Sequence, residues 1–148
     1  MSAPTLNITT YLFFGGRCEE AIRFYQTAIG AQLEMLMKFK ESPQPMPPGM
    51  LPAGFEEKVM HATFRVGETR MMASDGCSEG TTFSGFSLAL YVATIAEADR
   101  AFAALAEGGK VTMPQTETFW SPRYGMLEDR FGIGWMVMVA TATTAPHS

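Results

Sequence analysis

His61 and Asp75 are the residues of this chain best suited to acid–base chemistry. His61 is the only internal histidine, because His147 lies in a polar tail. An imidazole changes its charge near neutral pH, and a carboxylate can act as the partner acid or base. The two residues bracket one predicted hairpin, so both are candidate catalytic residues. Each also has a structural interpretation: His61 as a hydrogen-bonded strand residue, and Asp75 as part of an Asx-type turn.

A second group of candidates surrounds a break in a β-prone stretch near the end of the chain. Trp120 and Tyr124 flank this break, and Arg123 lies between them. The two rings are suited to the wall of a ligand cleft, and equally to a core position. A guanidinium between them can bind an anionic or aromatic ligand, or can be an ordinary loop charge. These three residues are therefore candidate ligand-binding residues, and Glu128, a few positions on, is a further candidate acid or base.

Length and composition restrict the class of protein. The chain has 148 residues, 47% hydrophobic and 18% charged, which is typical of one globular domain or two small fused modules. A net charge of -4 argues against nucleic-acid binding, which needs a basic surface. No apolar run approaches the ~20 residues of a membrane span. Two distant cysteines, Cys18 and Cys77, and no visible secretion signal predict reduced thiols in a cytoplasmic protein.

Hydrophobic periodicity predicts an alternation of strands and helices. A β-prone run at 7–14 predicts a strand buried on both faces, as in the centre of a sheet. A helical stripe follows at 18–29, ended by Gly30, and further strands are predicted at 33–39, 58–66 and 70–74. Residues 41–57 contain five prolines and form a long loop, which is either a lid over a site or a spacer.

The second half repeats this order of elements. A strand is predicted at 86–92, then a helix opened by Thr94 and ended by Gly108, then strands at 110–118, 124–127 and 135–140. A shift of 78 positions aligns Glu19, Phe24, Gly30 and Met35 with Glu97, Phe102, Gly108 and Met113. The sequence therefore predicts an α+β fold of two βαβββ modules, at about 7–75 and 85–140. Their curved mixed sheets would form a cleft, with Thr10, Leu12 and Ser87 as candidate wall residues.

Five segments together resemble a known family. They are YLFF at 11–14, EEAIRFY at 19–25, HATFRVGETRMMASD at 61–75, SGF at 84–86 and ETFWSPRYGMLEDRFGIGWMVMV at 117–139. They resemble the PhnB-like branch of the vicinal oxygen chelate superfamily, which includes glyoxalase I, bleomycin resistance proteins and extradiol dioxygenases. The resemblance implies a small-molecule cleft and, as in many members, a homodimer. Some PhnB-like proteins carry a label as demethylubiquinone methyltransferases.

The resemblance also implies where a metal would be held. In metal-dependent members the ligands are His, Gln or Glu from the first and last strands of each module. These positions correspond here to Thr9 or Thr10, Ser74 or Asp75, Ser87 or Leu88, and Met136, with Trp135 or Val137 as its neighbours. Only Asp75 is a good ligand, and a metal site needs several converging donors. We therefore expect no metal and no other cofactor, and we take Met136 as a ligand-binding residue instead.

Three hypotheses follow. The first is a metal-free protein that binds a small molecule in its cleft, with residues 41–57 as a lid. The second is an enzyme of the same superfamily that uses His61 with Asp75 or Glu128, or that has the methyltransferase-like activity of the label. A common methyl-donor fold needs a glycine-rich turn directly after a strand and opening a helix, and Gly15-Gly16 is too short to be one, so these residues do not support that label. The third is a dimeric structural module without a ligand.

Overall fold

A computed structural model describes residues 6–44 and 46–141, and the chain divides into two compact units at residues 81 and 82. The first unit contains β1 (Tyr11–Phe13), α1 (Cys18–Ile29), β2 (Gln32–Lys38), β3 (Val59–Val66) and β4 (Thr69–Ser74). The second contains β5 (Leu88–Val92), α2 (Ile95–Ala106), β6 (Lys110–Thr116), β7 (Tyr124–Glu128) and β8 (Gly134–Val139). Both units have the order βαβββ, as the internal repeat predicts.

Each unit has one four-stranded mixed sheet with the same topology. The strand order is β1-β4-β3-β2 in the first unit and β5-β8-β7-β6 in the second. β1 runs parallel to β4 and β5 runs parallel to β8, whereas the other neighbours are antiparallel. A parallel pair needs a long crossover connection, and the helix and the two following strands provide it. The predicted α+β fold of tandem βαβββ modules is confirmed.

The helices form where the sequence predicts them. The buried stripe of α1 consists of Cys18, Ala21, Ile22 and Tyr25, and Gly30 ends the helix in a left-handed conformation at φ 71°. α2 begins with the predicted cap, since the Thr94 hydroxyl accepts a hydrogen bond from the Glu97 amide at 3.1 Å. The Glu97 carboxylate in turn accepts from the amide of Ala93, one residue before the usual capping-box position.

The helix covers one face of each sheet, and we call the other the helix-free face. In the first unit the Tyr25 ring stacks on Phe64 with ring centroids 6.3 Å apart, so Phe64 marks the helix-packed face. In the second, a β-carbon added at Gly125 would lie 2.7 Å from the Phe102 ring, which marks the same face there. Because strand side chains alternate, the intervening residues lie on the helix-free face. They include Tyr11, Phe13, His61, Thr63 and Met72 in the first unit, and Ala89, Met113, Tyr124, Met126 and Met136 in the second.

The prediction that the first strand is central and buried on both faces is wrong. β1 is only three residues long and lies at the sheet edge, where β4 is its single neighbour. Ile8 precedes the strand and is 98% exposed, and Phe13 is 52% exposed. An apolar run is compatible with a buried central strand or with an edge, and composition alone does not distinguish them.

Residues 41–57 form a connection with some structure of its own. Two short 3-10 turns, Phe39–Glu41 and Phe55–Glu57, lie at its two ends, and the rings of Phe39 and Phe55 approach to 6.4 Å. Phe55 is fully buried, which attaches the second end of the loop to the first unit. Described residues of the loop line a cavity of about 340 Å³ next to Phe39. The lid remains a prediction. Among the described residues, no helix is long and apolar enough to cross a membrane.

Gly109, in the second unit, lies very close to the backbone of Glu128 and Asp129. A β-carbon added at Gly109 would overlap the carbonyl oxygen of Glu128 and lie 2.7 Å from the carbonyl carbon of Asp129. Since these are backbone atoms, the β6–β7 edge must move, and we expect Gly109→Ala to lower the free energy of unfolding by about 3 kcal/mol. Urea denaturation measures this change. Thr112→Ala, at an exposed position of β6, is the control and should change stability by less than about 0.5 kcal/mol; equal effects would contradict the prediction.

Candidate functional site

A small hydrogen-bonded group lies on the helix-free face of the first unit. The Tyr11 hydroxyl is 3.2 Å from His61 Nδ1, and the Thr63 hydroxyl is 3.5 Å from His61 Nε2. All three side chains are partly buried, and the ring of Phe13 lies 4.9 Å from that of Tyr11. A phenol and an imidazole in contact can pass a proton between them or present donors and acceptors to a ligand. Tyr11 is not among the candidate residues predicted from the sequence. Side chains alternate along a strand, so the alternation that buries Leu12 on the helix-packed face places Tyr11 on the same face as His61.

The Asp75 carboxylate is a structural acceptor. It is 1% exposed, and its Oδ1 accepts hydrogen bonds from the amides of Gly16 at 2.7 Å and Cys18 at 2.8 Å. Its Oδ2 accepts from the amide of Val59 at 2.8 Å. A carboxylate at the start of α1 also interacts favourably with the helix dipole. The carboxylate thus joins the ends of β4, the β1–α1 turn and the first residue of β3.

The structure does not bring His61 and Asp75 together. Asp75 bonds to the beginning of α1, on the helix-packed side, whereas His61 contacts Tyr11 on the helix-free face. The turn after β4 is made by a different residue, since the Ser74 hydroxyl accepts from the amide of Gly76 at 3.1 Å. Within the described residues, the nearest acid–base partner that the structure assigns to His61 is therefore Tyr11.

Both cysteines are free, in different environments. Cys18 is fully buried, and burial raises the pKa of its thiol well above the usual range, with the charges of Asp75 and Glu19 adding to the effect. A thiol in this environment stays protonated and unreactive. Cys77 is exposed. The two are not joined by a disulfide, as the sequence predicts.

The aromatic candidates of the second unit form a cluster. The rings of Trp120 and Tyr124 meet edge to face at 5.2 Å, and Phe119, which is 97% exposed, meets Trp120 at 4.7 Å. Tyr124 is buried, and this burial raises the pKa of its hydroxyl. Arg123 forms an ion pair with Asp99 of α2, Nε to Oδ1 at 3.2 Å. The half-buried Trp120 ring remains available as a wall, Tyr124 supports it from a buried position, and the Arg123 charge is engaged with the helix.

The remaining predicted residues lie in varied surroundings. Thr10 is exposed just before β1, and Leu12 is buried on the helix-packed face, opposite Ala73. Ser87 is exposed before β5, with its hydroxyl beside Gly134. Met136 is half-buried on the helix-free face. Glu128 is also half-buried on this face, and its register partners are Lys110 on β6 and Gly134 on β8. His147 lies outside the described residues.

The donor set does not fit a divalent metal. The residues that the structure describes contain no group of three His, Cys, Asp or Glu side chains able to hold an ion. Of the positions implied by the family resemblance, Asp75 is occupied by three amides, and Leu88 pairs with Trp135 on the helix-packed face. Met136 offers a thioether, which is a poor ligand for hard cations.

Comparison with known proteins identifies the family. The model of the family described as 3-demethylubiquinone-9 3-methyltransferase matches residues 6–138. The protein PA1353 from Pseudomonas aeruginosa is 42% identical, with a TM-score of 0.78 over 91% of this chain and 98% of the other. A putative 3-demethylubiquinone-9 3-methyltransferase, PhnB protein, from Bacillus cereus is 30% identical, with a TM-score of 0.76 over 91% and 100%.

A more distant structure shows the fold alone. The fosfomycin resistance protein FosX from Mesorhizobium loti is 13% identical, with a TM-score of 0.60 over 96% of each chain. It places the tandem βαβββ units in the glyoxalase and bleomycin-resistance fold, and the predicted resemblance is confirmed. This chain belongs to the family described as 3-demethylubiquinone-9 3-methyltransferase, the PhnB-like branch of the vicinal oxygen chelate superfamily.

Proposed function

We propose that this protein binds a small organic molecule on the helix-free faces of its sheets, without a divalent metal. The observation that carries the proposal is the group of Tyr11, His61 and Thr63 beside the ring of Phe13. Small-molecule sites combine aromatic surface with a few well-placed polar groups, and this group offers the rings of Phe13 and Tyr11 with two hydroxyls and an imidazole. The half-buried ring of Trp120, which packs edge to face on Tyr124, offers a second aromatic surface.

The chemistry of the available donors supports a metal-free site. Asp75 is the single good ligand among the positions that the resemblance implies, and its lone pairs are already directed at amides. Metal analysis of protein purified without chelator tests this part. We expect less than stoichiometric Mn, Fe, Co, Ni and Zn; one equivalent of any of them would refute it.

A thermal-shift screen across metabolites and antibiotics, fosfomycin included, tests ligand binding. A ligand at 100 times its dissociation constant stabilises the folded state by about 2.7 kcal/mol, which raises Tm by several degrees. His61→Gln and Tyr11→Phe should reduce the shift of a compound bound at the first unit, and Trp120→Leu that of a compound bound at the second. Glu68→Gln, in the exposed β3–β4 turn, is the control. A broad screen without any shift would favour the structural dimer module.

Catalysis by His61 with Tyr11 is a second candidate function, favoured by the 3.2 Å contact between the phenol and Nδ1. It replaces the predicted pairing of His61 with Asp75. The test uses a compound found in the screen, whose conversion is followed by NMR. Turnover that Tyr11→Phe reduces while binding persists would support catalysis. Binding without turnover would leave the binding function alone.

Methyl transfer through a glycine-rich turn does not fit the first unit. The turn at Gly15 and Gly16 lies between β1 and α1, where a methyl-donor cofactor could meet free amides. The amides of Gly16 and Cys18 already donate to the Asp75 carboxylate. A β-carbon at Gly15 would lie 2.7 Å from the Gly80 backbone, so the turn is also filled by protein. We therefore derive no methyl-transfer step from this turn.

A homodimer and a cytoplasmic location complete the proposal. Both come from the sequence and from the family resemblance. Light scattering of the purified protein measures the mass in solution. A value of one chain, 16.2 kDa, across a range of concentrations would overturn the dimer.

A further inference from the structure

Three methionines form one row across the second sheet. Met113 on β6 is the register partner of Met126 on β7, and Met126 is the partner of Met136 on β8. Partners in adjacent antiparallel strands project from the same face, so all three are assigned to the helix-free face; the β6–β7 register is irregular on both sides of Met113, which itself remains the partner of Met126. Met126 is in the middle of the row. The row continues to Ala89 on β5, the register partner of Met136.

The three methionines lie on adjacent strands, at a spacing that long, flexible side chains can bridge. Paired residues of adjacent antiparallel strands are about 4.5–5.5 Å apart at Cα, and methionine has three rotatable side-chain bonds. Met113 is 42% exposed, and Met126 and Met136 are half-buried, so solvent and solutes have access to the row. Methionines in a closed core would be inaccessible, and a lone exposed methionine would have no partners. This row has both access and partners.

The chemistry of this row is that of a soft metal site. Neutral thioether sulfur is polarizable and selects Cu(I) over the hard cations that carboxylates and carbonyls bind. Neutral donors leave the charge of the ion uncompensated, which favours a monovalent ion. Two residues on either side of Met126 on β7, and on the same face, lie Glu128 and Tyr124. The first is a nearby negative charge, and the second is a ring with a negative face that attracts cations.

We propose that Met113, Met126 and Met136 form a binding site for a soft monovalent metal ion, of the class of Cu(I) and Ag(I). The site shares the helix-free face of the second unit with the Trp120 surface proposed above for organic ligands, and it uses none of the hard donors that divalent metals need. It lies wholly within the second unit. Met126 supplies the central ligand, and Met113 and Met136 supply the flanking ligands.

The test is a titration with Ag(I), a redox-inert stand-in for Cu(I), in chloride-free buffer. Cys77 is exposed and would bind silver more tightly than any thioether, so every protein carries Cys77→Ser. Labelling of the methionine methyl carbons lets NMR follow all twelve methionines. We expect the signals of Met113, Met126 and Met136 to shift together and to saturate at one equivalent.

Two variants decide the outcome. Met126→Leu conserves volume and removes the central sulfur, so saturable binding should be lost while the fold is kept. Met72→Leu, a half-buried methionine on the helix-free face of the first unit, is the matched control and should leave the titration unchanged. Shifts spread over all methionines without saturation, or binding that survives Met126→Leu, would overturn the proposal. The part of the organic-ligand screen that concerns Tyr11 and His61 in the first unit is unaffected by either result.

Discussion

Replacement of Asp75 by alanine is expected to lower the free energy of unfolding by about 3–5 kcal/mol. The carboxylate is 1% exposed and accepts hydrogen bonds from the amides of Gly16, Cys18 and Val59. Alanine would leave three amides in this region without their acceptor, and hydrogen bonds to charged groups are the strong ones. Urea denaturation followed by far-ultraviolet circular dichroism measures the change.

A graded variant separates hydrogen bonding from packing. Asp75→Asn keeps the shape and one acceptor oxygen, but turns an amide group towards a donor, so its effect should fall between those of wild type and Asp75→Ala. Glu68→Gln removes an exposed acid and should change stability by less than about 0.5 kcal/mol. An Asp75→Ala protein as stable as the Glu68→Gln control would show that water replaces the carboxylate without loss. If Asp75→Ala does not fold, the asparagine variant still gives the comparison.

The regular elements could be predicted from the sequence because their signals are local. The α1 stripe, the left-handed Gly30 and the Thr94 cap each depend on residues a few positions apart, and all are present. The repeat of element order also needs no long-range information. The alternation of Trp135 with Val137 and Val139 predicts a core position for the indole, and Trp135 is 4% exposed. Local periodicity and capping chemistry therefore carry most of the fold.

The candidate site could be predicted less well. Which side chains form it depends on which face of the strand each residue occupies and on partners that are distant in sequence. Leu12 and Tyr11 are neighbours, yet one is core and the other contacts His61. A shift of one residue exchanges the two faces, and a uniformly apolar strand gives no parity signal. Asp75 has the residue type of a catalytic acid, but its partners at Gly16 and Cys18 lie nearly sixty positions away. No local pattern reveals such a partner.

Asp129 is a buried carboxylate of the second unit, in the β7–β8 turn, and Asp129→Ala is expected to cost about 3–4 kcal/mol of unfolding free energy. Its Oδ1 accepts from the amides of Phe131 and Ile133, at 2.9 and 3.1 Å, and its Oδ2 accepts from the Trp135 indole at 2.9 Å. The carboxylate is 3% exposed, so water does not reach it in the folded state. It holds the β7–β8 turn closed and orients the indole at the same time.

Trp135→Phe isolates the contribution of the indole bond. Phenylalanine keeps a ring in the core and removes the indole donor to Oδ2, so we expect a loss of about 1–3 kcal/mol. Asp99→Asn is the control for the loss of a carboxylate charge. Because Asp99 forms an exposed ion pair with Arg123, this variant should change the free energy of unfolding by less than about 1 kcal/mol. If the two amides dominate, Asp129→Ala will cost clearly more than Trp135→Phe. If the two variants lose the same free energy of unfolding, Asp129 stabilises the fold mainly through its bond to the Trp135 indole. The β7–β8 turn would then form without the two amide bonds to Asp129.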